Sequence, residues 1–206
     1  MTTATILYFL GASVALTIAP GPDNIFVLTL GVTRGRKPAI VTALGMCSGI
    51  SVHTTAAAFG ISALFYSSSA AFTAVKLAGA AYLLWLAWQA VRNPSAAVRV
   101  DAPQLRTASL FRRGLIMNVL NPKVALFFLA FLPQFITPEA GQVPFQMLLL
   151  GLLFMTQAVI IFCLIAYCAG SIGSWLLARP MLVRWFDWLT AGVFGALGVR
   201  LALAQR

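Results

Sequence analysis

Six long apolar stretches, separated by short polar connections, run along the 206-residue chain. Each is close to the roughly 20 residues that a helix needs to cross the hydrocarbon core of a bilayer. Backbone in lipid must satisfy its own hydrogen bonds as helix, whereas a β-barrel would show short alternating segments, which this sequence lacks. The pattern predicts an all-α polytopic membrane protein with six transmembrane helices, over Thr5–Thr33, Ile40–Phe65, Phe72–Val91, Leu110–Ile136, Phe145–Ala169 and Trp185–Leu203.

The connections between these stretches alternate in charge. The first, third and fifth are basic, whereas the second is uncharged and the fourth carries a single acid, Glu139. Cationic loops remain in the cytoplasm, so the basic connections are predicted to lie there and both termini outside. Arg200 and Arg206 argue against this placement, since a five-span or re-entrant variant would put the C-terminus inside.

The six stretches divide into two halves of three. The halves cover about residues 1–92 and 110–206, and a polar linker at about 93–109 joins them. With three helices each, the second half must enter the membrane in the opposite orientation to the first. Inverted repeats of this kind recur in transporters, so we predict a single transporter domain over 1–206 built as two inverted three-helix repeats.

Two interruptions occupy matching places in the two halves. Each combines proline with glycine or polar residues well inside an apolar run, where proline removes a backbone donor and breaks the helix. Irregular backbone is tolerated at membrane depth only where it lines a cavity or packs on protein, and paired broken helices point to a transport site. The predicted substrate-binding residues are Pro20, Gly21, Pro22, Asp23 and Asn24 in the first run and Asn118, Asn121, Pro122 and Lys123 in the fourth.

The two interruptions carry opposite charges, Asp23 in the first and Lys123 in the second. A lone charge at a helix centre costs about 2.5–3.5 kcal/mol on insertion scales. Such residues are kept for function, and here they could hold the ammonium and carboxylate groups of a zwitterion. Asp23 is also the first candidate for proton coupling. The alternative is that proline only kinks the helices and the two ions form a static pair.

Other polar residues inside the runs allow a functional and a packing interpretation. His53 is a candidate proton relay or a hydrogen-bonded packing residue. Thr156 and Gln157 could line a polar path or join neighbouring helices, and we favour the packing role. Gly45 and Gly49 form a GxxxG pattern that lets two helix backbones approach closely.

Composition supports a membrane protein. The chain is 61% hydrophobic and 9% charged, against about 25% charged residues in soluble domains, and its mean hydropathy is +0.93. The net charge of +10 is explained by basic cytoplasmic loops, so no nucleic-acid partner is predicted. The three cysteines lack metal-ligand spacing, and nucleotide, haem and zinc-protease motifs are absent. No metal, cofactor or enzymatic activity is therefore predicted.

Several ordered motifs make the sequence similar to a known family. Together they resemble the lysine exporter and homoserine/threonine resistance family (LysE/RhtB) of bacterial amino-acid exporters. Any one motif is weakly specific, but their order along nearly the whole chain is specific. The motifs are Ala19–Asn24, Gly35-Arg36, Gly45–His53, Lys76–Leu83 and Gly114–Phe135.

The resemblance implies a multi-pass protein of the bacterial inner (plasma) membrane with two inverted three-helix repeats. It implies a secondary-active exporter of a small amino acid such as homoserine, threonine or leucine, driven by the proton gradient. The implied partners are the amino acid, protons and the lipid bilayer, and a homodimer is compatible with the pattern. An exporter of another small solute or cation, or a channel-like pore, remains an alternative. The single acid among the two interruptions argues against lysine as substrate.

Overall fold

The structure, a computed structural model, describes residues 1–19, 21–61, 69–92, 106–169 and 179–203. Over these ranges the regular structure is helical throughout and contains no strand, which confirms the predicted all-α class. The helices are α1 Thr3–Ile18, α2 Pro22–Arg34, α3 Arg36–Ala56, α4 Ser69–Arg92, α5 Thr107–Val119, α6 Pro122–Leu126, α7 Val143–Cys168 and α8 Pro180–Leu203.

Two helices end in wider or tighter turns rather than stopping. A π-helical turn, Ala57–Ile61, continues α3. Another π-helical turn, Phe127–Phe131, and a 3₁₀ turn, Leu132–Phe135, continue α6. A short 3₁₀ turn, Pro138–Ala140, precedes α7.

The number of membrane crossings is bounded by helix length and composition. In the described residues two helices are long and apolar enough to cross a bilayer, Arg36–Gly60 and Val143–Cys168. The count rises to four if each of two bent pairs is one span: α1 with α2, bent by 56°, and Ala108–Val119 with Pro122–Phe135, bent by 46°. The described ranges therefore contain two to four such candidates, and the six-span repeat architecture remains a prediction.

The predicted interruption of the first run is confirmed, because α1 ends at Ile18 and α2 restarts at Pro22. Pro122 likewise occupies the first turn of α6, where a missing N–H costs nothing because that donor has no partner inside the helix. Helix boundaries depart from the apolar runs elsewhere: α4 starts at Ser69 rather than Phe72, and α8 at Pro180 rather than Trp185. Both helices therefore begin a few residues before the predicted apolar runs.

Small residues let α3 and α5 approach until their backbones touch. A Cβ atom added to Gly45 would overlap the carbonyl oxygen of Phe111, and one added to Gly114 would overlap the carbonyl oxygen of Thr42. The predicted close packing at Gly45 is therefore present, and it joins the second helix of one half to the broken helix of the other. A similar approach occurs between α4 and α8, where a Cβ on Gly198 would lie 3.0 Å from Cγ of Leu84.

A cluster of buried phenylalanines forms the core between α1, α7 and the turns that follow α6. The ring centroids of Phe127 and Phe131 lie 5.0 Å apart, those of Phe9 and Phe135 5.2 Å, and those of Phe127 and Phe154 5.3 Å. These separations suit the edge-to-face and offset geometries that aromatic quadrupoles favour. The cluster fixes the second interruption against the first half of the molecule.

Each end of the bundle has an arginine that packs over a tyrosine ring. At one end the guanidinium of Arg36 lies 4.2 Å from the centroid of the Tyr167 ring, so the first connection meets the end of α7. At the other end the Arg200 guanidinium lies 3.9 Å from the Tyr8 ring centroid, and Met1 lines a cavity with Gly141. The start of α1 and the end of α8 thus lie at the same end of the bundle.

Candidate functional site

The two interruptions meet in the interior and enclose a small cavity. Its volume is about 20 Å³, which is room for about one water molecule. The walls come from α1, α2, α3, α5, α6 and α7 and combine polar residues of both interruptions with apolar ones: Leu16, Thr17, Asp23, Asn24, Ile50, Asn118, Lys123, Val124, Phe154, Ala158 and Phe162. The structure therefore brings the predicted polar residues together in a closed state that is too small for an amino acid.

Asp23 is the acceptor at the centre of this site. Its side chain is only 5% exposed and lies in the first turn of α2, where the positive end of the helix dipole favours an anion. Its Oδ2 atom accepts a hydrogen bond of 2.9 Å from Nδ2 of Asn121 and a longer one of 3.4 Å from Nδ2 of Asn118. The second interruption thus supplies the donors that stabilise the acid of the first.

Lys123 also reaches from the second interruption to the first. It is 8% exposed, and its Nζ atom donates a 2.9 Å hydrogen bond to the carbonyl oxygen of Ala19, just beyond the end of α1. The ammonium also lies 5.7 Å from the centroid of the Phe194 ring, within the range of a cation–π contact. Within the described chain, Lys123 and Asp23 do not pair directly at 4.0 Å or less, because the asparagine amides bind the carboxylate. The static ion pair considered from the sequence is therefore absent from this state.

Pro122 leaves one backbone carbonyl free to accept hydrogen bonds from other groups. Pro122 has no N–H to donate to the carbonyl of Asn118, four residues earlier. That oxygen instead accepts from the backbone N–H of Asn121 at 2.9 Å and from Nε2 of His53 at 3.0 Å. A carbonyl can only accept, so Nε2 of His53 carries the proton in this state. His53 is buried on α3 of the first half, and its side chain bonds to the second interruption.

The first interruption is closed in a related way. Nδ2 of Asn24 folds back to donate a 2.8 Å bond to the carbonyl oxygen of Thr17. Asn121 begins α6 as its N-cap residue, and its Oδ1 accepts a 3.0 Å bond from the backbone N–H of Lys123. Asn24 and Asn121 thus satisfy backbone groups that the two breaks expose.

Eight of the nine predicted substrate-binding residues lie in the described part of the chain, and they fall into three groups. Asp23, Asn24, Asn118 and Lys123 line the cavity. Asn121 contacts it through its bond to Asp23, and Gly21 lies beside the Lys123 ammonium, 3.3 Å from an added Cβ. Pro22 and Pro122 are exposed and act by ending and restarting helices, while Pro20 lies outside the described residues.

Sequence reasoning missed Thr17 and favoured a packing role for Gln157, and both residues lie near the cavity. Thr17 lines the cavity, and Nε2 of Gln157 on α7 donates a 2.9 Å hydrogen bond to its hydroxyl oxygen. Each lies in a highly apolar helix with few other polar residues, which was the available signal. Asp187 on α8 is also only 1% exposed and has an interaction partner.

Two buried acceptors in the described part of the chain receive no hydrogen bond, Oδ1 of Asn118 and Oε1 of Gln157. Leaving a buried acceptor unpaired costs about 1–3 kcal/mol. Both belong to residues that line the cavity or contact its lining. The site is therefore richer in acceptors than in free donors. The ranges described contain no group of three or more residues suited to a metal ion.

These features define the class of protein: a helical membrane protein with two broken helices that meet at a buried, charged site. The sequence matches the family "LysE type translocator" over residues 14–205. The chain belongs to this family, as its motifs predicted. It is accordingly a multi-pass protein of the inner membrane.

Several curated relatives cover nearly the whole chain. A homoserine/homoserine lactone efflux protein of Salmonella typhimurium is 30% identical, over 96% of this chain and 95% of its own. A leucine efflux protein of Klebsiella pneumoniae is 31% identical, over 97% and 95%. An uncharacterized membrane protein of Vibrio cholerae is 30% identical over 97% of both chains. No solved structure matches.

Proposed function

We propose that this protein is a secondary-active exporter of a small amino acid, which binds between the two helix interruptions and leaves the cell in exchange for protons. The relatives named for homoserine, homoserine lactone and leucine efflux support an amino-acid substrate. The observation that carries the proposal is the buried pairing of the two breaks, with an acid on one and a base on the other.

The opposite charges suit the two ends of a zwitterion. Asp23 and the free Oδ1 of Asn118 offer acceptors for an ammonium group. Lys123 can release the Ala19 carbonyl and bind a carboxylate instead. The three substrates in the relatives' names share the α-ammonium group, whereas the lactone has no free carboxylate. Recognition of the ammonium by Asp23 is therefore the central contact of the proposed site.

A repeated arrangement of elements supports the six-helix inverted repeat. Each half has a broken helix, then a long helix, α3 or α7, and then a third, α4 or α8. Each long helix sends one polar side chain to the break of the other half: His53 reaches the Asn118 carbonyl, and Gln157 reaches Thr17. Such reciprocal contacts are what a pseudo-two-fold relation between the halves would generate.

Proton exchange follows from the chemistry of Asp23. An ionised carboxylate attracts the substrate ammonium, whereas a protonated one is neutral and attracts it much less. A proton arriving from outside would therefore release the amino acid there, and loss of that proton inside would restore the site for cytoplasmic substrate. The cavity has room for about one water molecule, so the halves must separate to admit an amino acid.

The test is export from intact cells. The protein is produced in cells that lack their own exporters, the cells are loaded with dipeptides, and released amino acids are measured outside. We expect efflux of a small neutral amino acid to fall at least about tenfold in Asp23→Asn, because a charged hydrogen bond contributes about 1.5–3 kcal/mol. Membrane insertion, checked by immunoblotting of membranes, should be unchanged. Wild-type efflux in this variant would remove Asp23 from the mechanism.

A further inference from the structure

Gln157 stands apart from the residues that hold the two interruptions together. It lies on α7, next to Ala158, which lines the cavity, and it contacts Thr17, which lines the cavity from α1. Its Oε1 atom is enclosed by protein and accepts no hydrogen bond among the described residues. If Gln157 only joined helices, its NH₂ group would be sufficient, and the buried oxygen would have no role.

The surrounding hydrogen bonds fix the orientation of the amide. The Thr17 hydroxyl donates its single proton to the carbonyl oxygen of Ser13, at 2.8 Å. The oxygen of that hydroxyl can then only accept, so the group that faces it must be the NH₂ of Gln157. Rotating the amide would set two acceptors against each other. These hydrogen bonds therefore leave Oε1 of Gln157 without a donor.

Three polar residues of the cavity are already assigned to the ends of a zwitterion. Asn118 bonds directly to Asp23, which places its free oxygen at the ammonium end, and Lys123 serves the carboxylate. Much of the remaining wall is apolar, with Leu16, Ile50, Phe154 and Phe162. Of the two buried acceptors that receive no hydrogen bond in the described residues, the Gln157 oxygen is the one not assigned to the ammonium, so it is available to a substrate side chain.

We propose that Gln157 is a specificity-determining residue, whose Oε1 accepts a hydrogen bond from a donor on the substrate side chain once the halves separate and the cavity expands. This inference rests on the proposed function and deepens it. Side chains that end in a hydroxyl would satisfy the buried oxygen, whereas hydrocarbon side chains of equal size would leave it unpaired. The site would then favour the first kind of substrate.

The experiment compares homoserine with norvaline, which replaces the terminal hydroxyl by a methyl group. Proton-driven uptake of labelled homoserine is measured in inside-out membrane vesicles, with either amino acid as unlabelled competitor. We expect wild-type protein to favour homoserine by about 5- to 100-fold, the loss expected for leaving a buried acceptor unpaired. In Gln157→Met, which has a similar shape and no amide, the two competitors should become equal to within about twofold. Norvaline inhibition should persist, which shows that the variant is folded.

Two further variants separate specificity from packing. Thr17→Val removes the partner of Nε2 but keeps the Gln157 amide, so it should weaken both competitors while part of the preference for homoserine remains. Thr156→Val, an exposed neighbour whose hydroxyl bonds only to the Leu152 carbonyl in its own helix, should behave as wild type. A merely structural Gln157 predicts that Gln157→Met and Thr17→Val act alike.

Three outcomes would overturn the inference. Wild-type uptake that does not distinguish the two amino acids would do so, as would a preference that survives in Gln157→Met or is lost equally in Thr17→Val. All three leave the exporter itself intact. Vesicles that take up neither amino acid with a proton gradient would instead reject the proposed function, and the role of Gln157 with it.

Discussion

The two helix interruptions are built from similar residues but are stabilised in different ways. The second is largely self-contained: Asn121 caps α6, and its backbone N–H also binds the Asn118 carbonyl. The first depends on the second, because the Ala19 carbonyl is bound by Lys123 and the Asp23 carboxylate by the two asparagines.

This asymmetry indicates which interruption changes when the site opens. Separating the halves would leave the second break with its own cap and turn, but would strip the first of the donors that reach it from α5 and α6. The exposed groups at the first break would be a carboxylate and a carbonyl, both acceptors. An incoming ammonium supplies the donors they lose. In the proposed exporter, the first interruption would thus be the part of the site that substrate completes, and the second would be preformed.

Removing Lys123 should break this relation most severely. In Lys123→Ala the first interruption loses its bound cation, and substrate loses the group proposed for its carboxylate. We expect efflux from dipeptide-loaded cells to fall about tenfold or more, since hydrogen bonds to charged groups contribute about 1.5–3 kcal/mol. The protein should still insert, because the second interruption keeps its own N-cap.

The matched control is Lys76→Ala, which removes a lysine of α4 that does not line the cavity. It should keep most of the wild-type efflux when expression is equal. If Lys76→Ala impaired transport more than Lys123→Ala, the paired-site arrangement would have to be abandoned.

The positions of the interruptions could be predicted from sequence, while the contacts that close them could not. Pro22, Asp23, Pro122 and Lys123 are costly inside apolar runs, so their presence alone indicated a special site. Which carbonyl receives Lys123 depends on the packing of residues more than one hundred positions apart. Sequence order carries no signal for such a contact.

Gln157 was interpreted from sequence as a packing residue for a related reason. A single amide in an apolar helix is inexpensive, because hydrogen bonds between membrane helices contribute about 0.6 kcal/mol on average. Its identity therefore does not distinguish a residue that joins helices from one that faces a site. The unpaired oxygen becomes visible only once the Thr17 hydroxyl and its own acceptor are placed.

A smaller effect is expected from Gly49→Ala, which perturbs the second interruption without touching the first. An added Cβ would lie 2.8 Å from Oδ1 and 2.9 Å from Cβ of Asn118, so the asparagine must move away from α3. We expect efflux to fall about fivefold and stability by about 1–3 kcal/mol, as for other overpacked interiors. Thermal unfolding of the purified protein and efflux from loaded cells measure the two effects.

Gly192→Ala provides the comparison, because a Cβ at that position meets nothing within 4 Å. It should match wild type in both measurements. Equal behaviour of the two alanine variants would mean that the position of Asn118 matters neither to the fold nor to the site.

The smallest effect should come from His53→Gln, because His53 supplies one of two donors to the Asn118 carbonyl. His53→Gln keeps a side-chain donor, and the backbone N–H of Asn121 still binds that oxygen. Loss of one neutral hydrogen bond costs about 0.5–1.5 kcal/mol, so even His53→Leu should lower uptake into inside-out vesicles only about two- to tenfold. His53→Gln should retain most of the uptake and its dependence on the proton gradient. A relay needs a group that gains and loses protons, which glutamine does not do, so loss of gradient dependence in His53→Gln would assign proton transfer to His53 and shift the coupling from the first interruption to the second.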